Sequence, residues 1–221
     1  MTDSKNALSI TPVSRNDAWW QERHQQKLAE KQALNNDVDL LFLGDSITHA
    51  WEDTGATTWH KYYAHLKPLN LGYSGDCTEH LIWRLQNGEI DNLSPKLTVI
   101  LIGTNNAGHR VETAEDTTAG VRVILQEVRK RLPNSKILLL ATFPRSKSKN
   151  APMRKKVNAV NNLVQHFADN KNVFWLNIGQ AFLTEDGLVL NTVMPDFLHL
   201  TSEQYQVWAD AMQSTIARLM G

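Results

Sequence analysis

The sequence predicts an α/β protein built as a three-layer α/β/α sandwich around a five-stranded parallel sheet. Three observations predict it. Short apolar runs recur along the chain, helical patterns fill the intervals between them, and the runs are continuously hydrophobic rather than alternating. Continuous runs are what burial on both faces of a parallel sheet requires.

The first run, "VDLLFL", begins at Val38 and is too short to span a membrane but dense enough for a sheet core. Strands are expected at 38–43, 68–71, 97–102, 136–142 and 172–177, with helices at 16–34, 57–64, 78–85, 114–132 and 152–168 between them. The helix at 152–168 is the clearest. Met153, Val157, Val160, Val164 and Phe167 recur at the spacing of one helical face, and Pro152 suits a first turn. A closing helix begins at "TSEQ", where Thr201 and Gln204 match a capping box. No repeat or linker divides the chain, so all 221 residues are read as one domain, with 1–15 as a loose N-terminal arm.

Composition excludes several function classes. The 23 basic and 23 acidic side chains cancel, which argues against nucleic acid or an anionic membrane as the partner and for a small-molecule substrate. The single cysteine, Cys77, permits no intrachain disulfide. The histidines are scattered, with no H-E-x-x-H, cysteine cluster or nucleotide-binding glycine fingerprint, so neither metal nor cofactor is expected. The polar start "MTDSKNALSITP" lacks the pattern of a secretory leader, and no apolar run approaches the ~20 residues of a spanning helix. A cytoplasmic protein is the expectation.

Four polar clusters fall at strand ends, where open parallel sheets bind their ligands. Gly44-Asp45-Ser46 follows the first strand, and its serine reads either as a helix cap or as a nucleophile. "NLGYSGDCT" follows the second, with Gly72 and Gly75 permitting a tight turn and Gly75 offering an N–H to an anion. "LIGTNNAGH" follows the third and sets the Asn105 carboxamide beyond a buried strand; a simple turn role is the alternative. In "MPDFLHLT", Asp196 stands three residues before His199 and could fold back to hold its Nδ1–H, leaving Nε2 for the serine. Together these clusters supply a hydroxyl, a base, an orienting carboxylate and neutral donors, the parts that acyl transfer needs.

The blocks "GDSI", "NLGYSGD", "GTNN" and "DFLH", in that order, resemble the SGNH (GDSL-type) hydrolases. "WRLQNGEI", "GTNNAGH", "FPRSKSKNAPMR" and "MPDFLHL" are most similar to the branch formed by the catalytic subunits of intracellular platelet-activating-factor acetylhydrolase. The resemblance implies flavodoxin-like topology and a serine esterase acting on short-chain, acetyl-type esters. It implies Ser46 as nucleophile, His199 as base and Asp196 as its orienter. It further implies an oxyanion hole from the N–H groups of Ser46 and Gly75 and the Asn105 amide, and an acyl pocket lined by Ile47, Thr104 and Leu198. A carbohydrate O-acetylesterase or an acyltransferase would share those residues; the tryptophans are expected to pack the core or its edge, with Trp51 and Trp59 the two to inspect for sugar stacking. A non-catalytic binding protein on the same fold is the remaining alternative. The family often forms homodimers, though no interface is legible here. The basic loop carrying Arg145, Lys147 and Lys149 is expected to be solvated.

Overall fold

In the computed structural model, residues 8–110 and 112–221 are described, with His109 through its backbone only. Five strands, β1 (Leu40–Gly44), β2 (Pro68–Gly72), β3 (Leu97–Leu101), β4 (Lys136–Leu140) and β5 (Val173–Leu176), form one sheet in the order β2-β1-β3-β4-β5. All neighbours are parallel. This is the 2-1-3-4-5 order of flavodoxin-like folds.

Right-handed crossovers dictate where the helices go. The step from β1 to β2 runs one way and carries α2 (Ser46–His49) and α3 (Ala56–Tyr63). The later steps run the other way and carry α4 (Thr78–Gln86), α5 (Thr104–His109), α6 (Ala114–Arg131) and α7 (Pro152–Val164). Two separate cores result. Leu81, Val121, Ile124 and Val160 pack on one face against Leu41, Leu43 and Ile100. On the other face α8 (Ser202–Met220) joins α3, with Tyr205, Trp208 and Met212 against Phe42 and Val99. The remaining helix, α1 (Ala18–Ala33), lays Trp20 against Tyr73 and Trp83. Because β1 steps both ways, the crevice between the carboxyl ends of β1 and β3 is the topological switch point.

Several expectations need correction at their edges. The first strand begins at Leu40 and extends to Gly44, and the helix expected over 152–168 ends at Val164 and tightens into a 3₁₀ turn over Gln165–Phe167. Strands β1 and β3 are buried throughout, whereas β5, at the sheet edge, is mostly half-buried. The capping box at Thr201 does not form. The backbone N–H that Gln204 would have to satisfy already donates to the Val193 carbonyl, and the Thr201 hydroxyl is buried without a partner. A capping box does open α6, between Thr113 and Asp116. Residues 8–15, expected within a loose arm, are docked. Ser9 is fully buried, donating to the Asp116 carbonyl and accepting from Thr78 Oγ1, and Arg15 donates to the Ser74 carbonyl. Among the described residues no helix is long and apolar enough to cross a membrane.

Candidate active site

Gly44 pairs in register with Gly72 on one side and Leu101 on the other, so the loops after β1, β2 and β3 leave the sheet side by side. Two of these glycines are sterically compelled. A Cβ at Gly44 would lie 2.1 Å from Thr48 Oγ1 and 2.5 Å from the Leu101 carbonyl, and one at Gly72 would lie 2.2 Å from the backbone N of His49. The turn carrying Ser46 is therefore pressed directly onto β1 and β2.

Within that turn the capping role belongs to Asp45. Its carboxylate accepts the Ile47 N–H at 3.0 Å, which frees the Ser46 hydroxyl from any duty in the helix. Ser46 Oγ instead lies 2.9 Å from His199 Nε2, across 153 residues of sequence. His199 Nδ1 lies 2.6 Å from Asp196 Oδ2. The other oxygen of Asp196 accepts the N–H groups of His199 at 2.8 Å and Leu198 at 3.0 Å. Burial pushes the Asp196 carboxyl upward, but those amides and the imidazole outweigh it and hold the group below the ordinary carboxylate range. An ionised Asp196 can only accept, so the ring proton sits on Nδ1 and Nε2 is free to accept from Ser46.

The fold-back that brings carboxylate and ring together passes through Phe197, whose φ of 60° is left-handed. The turn is held from outside. The Phe197 carbonyl accepts the N–H of Ser146 at 2.8 Å, and the loop bearing Ser146 is clamped by the buried Arg154, which donates to the carbonyls of Arg145 and Ser146.

The candidate oxyanion donors gather on the neighbouring loops. Gly75, with φ 78°, follows β2, and Asn105 Nδ2 donates to the Asp76 carbonyl at 2.9 Å. That bond ties the third loop to the peptide beside Gly75 and leaves one carboxamide N–H over. Neither the Ser46 nor the Gly75 N–H donates to a backbone acceptor among the described residues. Of the three residues expected to line an acyl pocket, Ile47 and Thr104 are each only 1% exposed and Leu198 is half-buried. The first two are buried, and Leu198 alone presents surface.

Beneath these loops lies a buried charge network that the motifs do not announce. Arg84, fully buried, donates to Asp76 Oδ2 at 2.9 Å, to the Leu71 carbonyl at 3.2 Å and to the Gly44 carbonyl at 3.3 Å, and it pairs with Glu89. Its guanidinium lies 3.8 Å from the Tyr73 ring centroid. One cation thus ties the carboxyl ends of β1 and β2 to the loop that carries Gly75. The sequence offers one signal: Arg84 shares a helical face with the buried Leu81 and Leu85, where a charge must find a partner.

Two other sequence readings change, and the two tryptophans pack as expected. Arg145, expected in a solvated loop, is 7% exposed and donates to the carbonyl and hydroxyl of Thr104; only Lys147 and Lys149 behave as surface. Trp51 is fully buried among Tyr205 and Trp208, with ring centroids 4.6 and 4.7 Å away, and the half-buried Trp59 packs on Phe42 at 5.0 Å. Neither is a free stacking face. Cys77, Glu79 and His80, close together in the sequence, bring ligand-type atoms within 4.8 Å of one another, a grouping the sequence motifs do not announce. Those atoms are already engaged. Glu79 forks with Arg110, His80 Nδ1 accepts the Cys77 N–H, and burial pushes the thiol up to about 12.

Asp45 has a measurable signature of its own. It is 1% exposed, and burial, with Asp76 nearby, pushes its carboxyl up to about 7 against the opposing pull of the Ile47 amide, His199 and Arg145. A carboxyl whose folded pKa lies above its unfolded value favours folding below the unfolded value. That contribution is lost as pH rises through about 7. Asparagine keeps the acceptor oxygen and drops the charge. Asp45→Asn is therefore expected to unfold at higher urea than wild type at pH 8, by roughly 1–3 kcal/mol, with the gap closing at pH 4.5. A gap that widened toward low pH would overturn the assignment.

Residues 42–207 match the GDSL-like lipase/acylhydrolase family. The chain is 33% identical to the human platelet-activating factor acetylhydrolase IB subunit alpha1 over 224 residues, covering 100% of this chain and 94% of that protein. It is 34% identical to the rat alpha2 subunit over 202 residues, covering 91% and 85%. Among solved structures, a GDSL-like lipase from Bacteroides thetaiotaomicron superposes with a TM-score of 0.75 at 20% identity, covering 88% of this chain and 97% of that one. Axe2, an acetylxylan esterase from Geobacillus stearothermophilus, superposes at 0.65 and 20% identity, covering 84% and 94%. With the family match spanning all four blocks, this chain belongs to the GDSL-like lipase/acylhydrolases and is a carboxylic ester hydrolase.

Proposed function

We propose that this protein is a serine esterase that removes short acyl groups, acetyl foremost, through Ser46, His199 and Asp196 and an acyl-enzyme. The observation that carries the reading is the 2.9 Å approach of Ser46 Oγ to His199 Nε2, continued by the 2.6 Å contact of Nδ1 with Asp196. Neutral His199 takes the Ser46 proton as Oγ bonds to the carbonyl carbon. The charge that moves onto the carbonyl oxygen is met by the N–H groups of Ser46 and Gly75 and the spare amide N–H of Asn105. The tetrahedral adduct then expels the alkoxide, which leaves with the proton held on Nε2. Water repeats the cycle on the acyl-Ser46 ester and regenerates the hydroxyl.

The acetyl preference rests on how little surface the expected acyl-site residues offer: Ile47 and Thr104 are buried, and Leu198 is half-buried. The relatives, a platelet-activating factor acetylhydrolase subunit and an acetylxylan esterase, point the same way. Turnover of p-nitrophenyl esters is expected to fall by at least tenfold from acetate to octanoate, with lost binding of the extra methylenes contributing roughly 1–3 kcal/mol per group excluded. Preference for octanoate would overturn the short-acyl reading. The leaving alcohol is to be assigned by testing acetylated lipids, sugars and aryl esters against wild type and Ser46→Ala.

A further inference from the structure

His49 is used by no step of that mechanism, yet it sits between two parts of the machinery. It is the last residue of α2, one turn beyond Ser46, and its Nδ1 lies 3.0 Å from Ser74 Oγ and 3.3 Å from the Ser74 backbone N. An amide N–H can only donate, so Nδ1 is unprotonated and accepts from Ser74, with the ring proton on Nε2. Trp19 stacks on the same imidazole, with centroids 6.4 Å apart and planes at 24°. Arg15 lies 5.3 Å from the Trp19 ring centroid and donates to the Ser74 carbonyl at 2.7 Å. The residue after Ser74 is Gly75, exposed and left-handed, with the Arg15 guanidinium beside it.

From this we infer that His49 is a positioning residue of the oxyanion hole: its ring bolts the Gly75 loop to the helix that carries Ser46. The inference rests on the Ser46 reading above. Two N–H donors on separate segments stabilise one oxygen only if their spacing is fixed to within a fraction of an ångström, and misplacement by about 1 Å can cost a hundredfold. Gly75 cannot fix its own spacing, because a glycine loop has the greatest backbone freedom. The ring also stays an acceptor at ordinary pH. Burial and Arg23, with Lys27 and Arg84 adding and Glu52 opposing, hold the imidazole down at about 4.

The test compares His49→Ala with His49→Gln, whose amide oxygen restores an acceptor at the end of a similar side chain. With p-nitrophenyl acetate, His49→Ala is expected to lower kcat about tenfold or more, with KM within about twofold. His49→Gln is expected to recover most of the loss. In an Asn105→Ala background the same alanine change should cost less than in wild type, because both act on one oxyanion. Unchanged kcat in folded His49→Ala, no recovery by glutamine, or strict additivity with Asn105→Ala would each overturn the inference. A second readout needs no turnover. The Gly75 amide resonance should shift and broaden in His49→Ala but not in His49→Gln, and an unmoved resonance would also overturn it. Absence of fluorophosphonate labelling at Ser46 in wild type would instead overturn the nucleophile assignment, leaving the Gly75 resonance to decide the bolt on its own.

Discussion

Ser46→Ala is expected to lower turnover of p-nitrophenyl acetate by on the order of 10⁴–10⁶-fold, the loss seen when a serine hydrolase loses its nucleophile. The same change should leave stability within about 0.5 kcal/mol of wild type. The pairing of those two outcomes is what discriminates. A serine that capped the helix would show the reverse, costing about 1 kcal/mol of stability with little direct effect on chemistry. Here the cap is Asp45, which accepts the Ile47 amide, while the Ser46 hydroxyl is directed to His199. Steady-state kinetics and urea denaturation of one purified variant measure both quantities. Retention of more than a few per cent of activity would remove Ser46 from the mechanism.

Arg84→Met is expected to be the most damaging single change to the fold. Removing one partner of a buried ion pair leaves an uncompensated charge and typically costs about 3–5 kcal/mol. Arg84 has two such partners, Asp76 and Glu89, all three fully enclosed. It also satisfies the carbonyls of Gly44 and Leu71. For a chain of this size the midpoint should fall by roughly 10 °C. The exposed pair Lys96–Asp39, at 3.1 Å, is the control, and Lys96→Ala should shift stability by less than about 1 kcal/mol. A midpoint for Arg84→Met within 2 °C of wild type would mean that water replaces the guanidinium.

The sheet and the four blocks were legible because their signals are local. A continuous apolar run, a Gly after it and a polar residue beyond can be read within ten residues, and β1 followed by Asp45-Ser46 is the clearest case. What escaped was set by pairs far apart in sequence. Asp45 and Ser46 are both good cap residues, and only the approach of His199 from the far end of the chain separates their roles. Arg145 reads as loop surface until Thr104 arrives to accept its guanidinium across 41 residues. Thr201 has the pattern of a capping box, but Val193 takes the amide that the box needs. The tryptophans, by contrast, were legible as packing residues, and Trp51 lies in the layer beneath α8. Arm residues such as Ser9 look unattached until the Asp116 carbonyl and Thr78 hydroxyl are seen on either side of them.

The Asp196–His199 turn lies beyond the last strand, on chain that contributes nothing to the sheet and is held from outside by Ser146 and Arg154. That turn is thus modular. Insertions or recombined segments between β5 and α8 could reshape substrate scope without disturbing strand pairing, provided the replacement preserves the backbone grip on position 197. Directed evolution of this enzyme should find its tolerated diversity there, and very little between Gly44 and Thr48.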